Sequence, residues 1–326
     1  MDIDLTIHLS ANHQELEYSR EQMTDKKLVS IEESWLLWKD CLGGPDKNSI
    51  INQIMSMVWD VGIFKLILES RQLWINQNPI KPKINNTFHS FIDRNYFQAL
   101  ASSIRKISDN GYSVSGKRGV FSLLSLISDI KKHKNEITRT KFFELRGIEY
   151  DIETLKEKES NFIREKILNS TMAISIPPEI TPERSIDAHK LFDNFSVVNF
   201  RNRSPYDQIN TEFLEKLENK VNSSKKISGY VDKFIAHASS PESRKLDKYE
   251  SSTILIIQCW EVQKEICEVT DILASFLLGV KFMFLPLESP NYFEHMDIPL
   301  VESCNINNLR SSFEKYRNET EQWKFD

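Results

Sequence analysis

Residues 48–76 read NSIINQIMSMVWDVGIFKLILESRQLWIN. Ile50, Ile54, Met57, Val58, Val61, Phe64 and Leu68 recur there at three- and four-residue intervals. That is the period of one face of an α-helix. Asn48 or Ser49 can cap its start, because a short polar side chain accepts from the orphan N–H groups of a first turn. With so many apolar positions the segment is expected to be a central, largely buried helix.

The neighbouring segments have the same period. Upstream, Ile31, Trp35, Trp38 and Leu42 mark a helix over about 23–42, and Gly43-Gly44-Pro45 ends it. Downstream, Phe91, Tyr96, Leu100, Ile104 and Ile107 mark a helix over about 87–109. Arg94 and Arg105, eleven residues apart, return to nearly one face of it. Further helices are expected over about 119–134, 151–168, 185–195, 206–237, 246–279 and 308–316. The 206–237 helix has a possible break near Gly229. In the helix over 246–279, Ile256, Cys259, Trp260, Ile266, Leu273 and Leu277 form the core stripe.

Composition agrees with an all-α fold. The 326 residues include only 9 glycines, about half the usual share, and tight turns, hairpins and phosphate loops all draw on glycine. Forty per cent hydrophobic content is enough to bury a core. Residues 171–207 hold Pro177, Pro178, Pro182 and Pro205, which divides the chain into three expected parts. These are an N-terminal helical bundle (1–170), a Pro-rich linker or insertion (171–207), and C-terminal long helices (208–326) packed on the first part.

The net charge of −5 carries no basic surplus for nucleic acid across the whole chain, although local basic patches remain open. Cys41, Cys259, Cys267 and Cys304 form no CxxC pair, and Cys259 and Cys267 read as small hydrophobes in a reducing compartment. The first residues lack the basic and apolar regions of a secretory signal. The apolar stretch 272–287 is too short to span a bilayer and contains Lys281 and Pro286. The expectation is a cytoplasmic protein with no membrane segment.

Gly111 to Lys117 matches the front of a Walker phosphate loop, but Arg118 stands where a Ser or Thr must hold magnesium. The preceding segment is helical, where such a loop needs a strand, so an interhelical turn is the better reading. No HExxH or zinc-spaced Cys/His set occurs, and no cofactor or metal is expected. His8, His13, His89, His133, His189 and His295 are scattered and read as surface or capping residues.

Tyr230-Val231-Asp232-Lys233-Phe234-Ile235-Ala236-His237 is the richest segment chemically. On an α-helix Lys233 and His237 share a face, Asp232 lies one step round, and Phe234 and Ile235 can anchor the turn. A cation, a carboxylate and an imidazole so placed can bind a phosphate and move a proton near neutral pH. Read from the residues alone, a solvated polar face at a helix end is the better reading of the segment.

Asp232-Lys233-Phe234-Ile235-Ala236-His237-Ala238 resembles the D-K-x-x-A-H signature of AbiU-type abortive-infection proteins, members of the HEPN superfamily. Asp93-Arg94-Asn95-Tyr96, then Arg105 and Asp109, follow the order of that family's N-terminal helices. The resemblance implies a HEPN-like multi-helix bundle with the Pro-rich stretch as an insertion, forming a homodimer. It implies a phage-defence or toxin-type protein that cleaves RNA without metal. His237 would be the catalytic histidine, with Asp232 and Lys233 beside it, and an antitoxin or defence-system protein would be a further partner. The family's arginine, due at Val231 or Asp232, is absent. Its charge would come from Lys233, or from Arg94 or Arg105 on another helix. The alternative is a catalytically silent HEPN-like module that binds nucleotide, nucleic acid or protein. A purely structural interaction protein is the third reading.

Overall fold

A computed structural model describes residues 30–77, 85–110, 113–115, 119–168, 176–177, 179, 181–236, 240, 254–284, 293–294 and 303–323. Every regular element among them is a helix, and the only ladder contact is an isolated antiparallel bridge between Thr138 and Gln208. In chain order the helices are α1 (Ile31–Gly43), α2 (Ile50–Gln77), α3 (Asn86–Ile107), α4 (Leu123–Lys132), α5 (Arg139–Leu145), α6 (Ile152–Leu168) and α7 (Pro182–Ser196). They continue with α8 (Thr211–Val221), α9 (Lys225–Tyr230), α10 (Ile256–Leu277) and α11 (Ile306–Glu321).

The chain divides into two compact units, Met1–Leu285 and Pro286–Asp326. In the second unit, α11 has no buried residue, and its Arg317 pairs along the helix with Glu314 and Glu321.

The first unit is organised around α10, which packs against α1, α2, α3, α7 and α8. Cys259, Val262, Ile266, Val269, Leu273, Phe276 and Leu277 are buried along it. Phe276 is an aromatic hub: it stacks on Phe142 and Phe195 at centroid distances of 5.0 and 4.2 Å and meets the edge of Trp35 at 5.3 Å. Such pairs add about 0.5–1.5 kcal/mol each beyond the area they bury. Gly279, just past α10, adopts φ +75°, and its N–H reaches back to the carbonyl of Ala274 at 3.0 Å. A left-handed turn of this kind ends a helix without a Cβ penalty.

The capping chemistry follows the sequence. Ser30 and Glu33 form a reciprocal capping box at the start of α1, and the Gly44 N–H closes its end on the carbonyl of Asp40 at 2.9 Å. Ser122 caps α4 and Asn210 caps α8.

The expectation of a largely buried helix over 48–76 holds for its first half alone. Ile50, Ile51, Ile54, Met57, Val61 and Phe64 are buried, while Leu68, Leu73, Trp74 and Ile75 are exposed. The helix is 28 residues long, about 42 Å, and runs past the core beneath it. Among the described residues it is the helix that meets the length and apolarity of a membrane span, a measure that a half-buried core helix also meets. Phe91, expected in the core stripe of α3, is likewise exposed; the buried stripe begins with Leu100.

In the stretch 171–207, α7 buries Phe192 and Phe195 in the common core. Arg139, the first residue of α5, is wholly buried. Its guanidinium donates to Asp207 Oδ2 from Nε at 3.0 Å and Nη2 at 2.8 Å, meets Asp193 Oδ1 at 2.9 Å, and donates to the carbonyl of His189 at 3.1 Å. Arg203 holds the other side of Asp193, with Nη2 at 2.6 Å from Oδ2. One buried cation therefore ties α5 to α7 and to the segment entering α8.

Candidate functional site

The segment that carries the charged motif continues the helical rod of α8 and α9. A 3₁₀ turn at Asn222–Ser224 joins those two helices, and a second irregularity follows close to Gly229, where the sequence placed a break. The rod then widens into a single π turn, Val231–Ile235, closed by Ala236 N–H to the carbonyl of Val231 at 2.8 Å. Turns of this type are uncommon and recur at functional sites. Here the backbone closes i→i+5 between Val231 and Ala236. His237 itself lies outside the described residues.

Val231 is buried and anchors the turn, with Ile235 partly buried against the core. Phe234, expected as a second anchor, is exposed and stacks on Tyr230 at 4.9 Å. Tyr230 in turn meets the edge of Phe97 on α3 at 5.7 Å. These contacts seat the rod along α3, and Ser108 Oγ lies 3.5 Å from Ser228 Oγ at the same seam.

The seating brings Arg105 to the motif. Its Nε donates to Asp232 Oδ1 at 2.7 Å, and its Nη1 reaches Asp109 Oδ2 at 3.4 Å. The Arg105 and Asp232 side chains are 36% and 43% exposed, so the pair faces solvent. Asp109 is fixed from both sides. Its carboxylate accepts from the Asn110 N–H at 2.9 Å, and its carbonyl accepts from Ser122 Oγ at 2.7 Å. Ser122 is also the cap of α4, so the end of α3 is pinned to the start of the next helix. A guanidinium held by two carboxylates is oriented as well as neutralised, because each carboxylate takes one arm of a planar fork.

The other proposed phosphate ligand is elsewhere. Arg94 is exposed and lies over the Phe91 ring at 5.9 Å. Eleven residues along a helix are about 16 Å of rise, so sharing a face does not bring Arg94 to Asp232. Of the five candidate residues, Arg105 and Asp232 meet, Lys233 follows Asp232 on the same turn, Arg94 is remote, and His237 is not described.

The loop that matches the front of a phosphate loop follows helix α3, as the sequence reading expected. Its described part is a turn in which Val120 N–H bonds the carbonyl of Ser113 at 2.9 Å and Val114 is buried in the core.

Among the described residues, no three His, Cys, Asp or Glu side chains converge to hold a metal ion. Of the six histidines expected at the surface or in caps, His8, His13 and His295 lie outside the described residues, His133 is the cap at the end of α4, and His189 departs from the expectation. His133 Nδ1 pairs with Glu136 Oε1 at 2.9 Å. His189 is buried between Phe143 and Tyr150, its Nε2 3.1 Å from the Tyr150 carbonyl, and desolvation holds its pKa below the ordinary value. The spacing of His189 with Ser185 and Phe192 was the signal available for this, since all three lie on the buried face of α7.

Comparison of the chain with protein-family models, with curated proteins and with solved structures finds no match.

Proposed function

We propose that the protein is a HEPN-like, RNA-directed module of the phage-defence or toxin type, acting as a cytoplasmic homodimer and cutting RNA without a metal ion. The observation that supports it is the ion pair between Arg105 and Asp232. The motif lacks its arginine in sequence, and the Arg105 guanidinium of α3 lies against Asp232, one of the two positions where that arginine was due, which supports the reading. In this reading His237 moves the proton, because imidazole titrates near neutral pH. Arg105, with Lys233, holds the scissile phosphate through its planar donors. Asp232 and Asp109 position the guanidinium. An antitoxin or defence-system protein would restrain the activity.

A second reading is a catalytically silent HEPN-like module that binds nucleotide, nucleic acid or a partner protein. One observation favours it: Arg105 and Lys233 are matched by Asp109 and Asp232, so the described part of the site has no net positive charge to draw a phosphate.

The experiment is incubation of purified protein with transfer and messenger RNA. The nuclease reading expects cleavage that survives EDTA, disappears in His237→Ala and weakens in Arg105→Ala. Wild-type protein that leaves both RNAs intact would refute it. RNA binding that His237→Ala leaves unchanged, with no cleavage, would then select the silent module.

A further inference from the structure

On the face between α2 and α3 lies a groove of about 320 Å³. Its walls come from two helical stripes. On α2, Asp60 and Phe64 are four residues apart; on α3, Tyr96, Ala99 and Ser103 occupy one face. The hollow exists because Ala99 and Ser103 are too small to fill the space that the larger residues frame. Phe64 and Tyr96 stack on each other at 3.8 Å, and the Tyr96 hydroxyl accepts from Trp260 Nε1 at 3.1 Å, so this wall is rigid. Trp59 completes the rim.

Asp60 is the one charged side chain lining the groove. No ion pair or hydrogen bond engages its carboxylate among the described residues. Asp60 is exposed, and its partial desolvation raises its pKa above the ordinary carboxylate value. Largely apolar concave sites with a single converging charge are the usual form of a small-molecule site, and volumes of about 300 Å³ and more are typical. An engineered cavity of about 150 Å³ in another protein holds benzene, so this groove has room for about two fused rings.

We infer that the groove is a binding site for a small organic cation with a flat apolar body, the ammonium pairing with Asp60 and the body lying against Trp59, Phe64 and Tyr96. A protonated amine completes the missing counter-charge through a charge-assisted hydrogen bond. The aromatic rim adds attraction between ring faces and the cation. The site is separate from the Arg105–Asp232 pair, and the inference stands whether or not the protein acts on RNA.

The test is calorimetric titration of the full chain with 1-naphthylmethylamine, its neutral counterpart 1-naphthylmethanol and the anionic 1-naphthoate. The amine should bind at least about tenfold tighter than the alcohol, and the acid not measurably. Asp60→Asn should bring the amine down to the level of the alcohol and leave the alcohol unchanged. Ala99→Leu, and independently Ser103→Leu, should block both by filling the hollow. Helical circular dichroism identifies whichever of these folds, and that variant decides. Equal binding of amine and alcohol to the wild type, no binding of either, or binding that survives the filled groove would overturn the inference. So would a change of oligomeric state with Ala99→Leu, which would assign the face to a second copy of the chain.

Discussion

Replacing Arg139 with Met removes a buried charge while keeping close to its volume, so the cavity contribution is small. Arg139 is fully buried and carries two carboxylates and a carbonyl on its guanidinium. After substitution Asp193 keeps Arg203, at 2.6 Å. Asp207, whose side chain is only 11% exposed, keeps just the Ser204 N–H, at 3.0 Å. Stranding a nearly buried carboxylate in this way destabilises by about 3–5 kcal/mol. Losing the donor to the His189 carbonyl adds about 1 kcal/mol. We expect Arg139→Met to lower the unfolding free energy by about 5 kcal/mol, a third or more of a typical domain's total. Urea unfolding followed by far-ultraviolet circular dichroism measures it, with the slope against denaturant checked for constancy. Adding Asp207→Asn to Arg139→Met should recover about 2 kcal/mol, because the second change removes the stranded charge. A loss below about 1 kcal/mol in the single variant, or a double variant less stable than the single one, would refute the reasoning.

Three further outcomes follow from the same structure. Arg105→Ala should lower stability by less than about 1 kcal/mol in the same urea assay, because Arg105 and Asp232 are both more than a third exposed, so solvent screens that pair, and the contact to the less exposed Asp109 is long at 3.4 Å; a larger loss would mean that Arg105 is structural and would weaken its use as a probe of RNA cleavage. Gly279→Ala should destabilise by about 1–2 kcal/mol by thermal unfolding, since φ there is +75° and a Cβ would run into the Arg146 guanidinium; a neutral result would refute the assignment of that turn. Desolvation depresses the pKa of His189, so its contribution is complete above the unfolded value of 6.5 and declines as pH falls toward the folded value. The urea midpoint of the wild type should therefore drop between about pH 7 and pH 5, and His189→Phe should drop less; parallel curves would show that His189 does not drive the acid sensitivity.

Local rules of the chain were enough for most of the helices. Period, caps and breakers depend on residues within a few positions of each other, so Trp35, Trp38 and Leu42 marked α1, and Gly43-Gly44 marked its end. The same rules overlooked α5, a seven-residue helix whose stability comes from the burial of Arg139, Phe142 and Phe143 and not from length. They also made α2 largely buried along its length, since a stripe of apolar residues does not report where the core beneath it stops.

The candidate site divides along the same line. The motif Asp232-Lys233 and the four-residue spacing of Arg105 and Asp109 are visible in the chain. That Arg105 and not Arg94 reaches Asp232 is not visible, because 127 residues separate the partners and only the seating of the rod on α3 selects one arginine. The π turn is equally hidden, being set by how Val231 and Ile235 fit the core. So is the groove beside Asp60, which exists because two small residues on one helix face larger ones on another. Sequence by itself determined that the chain is helical and which residues carry charge and rings. Tertiary packing alone decided which charges meet, because Coulomb attraction and close packing act over a few ångströms of space, whatever their separation along the chain.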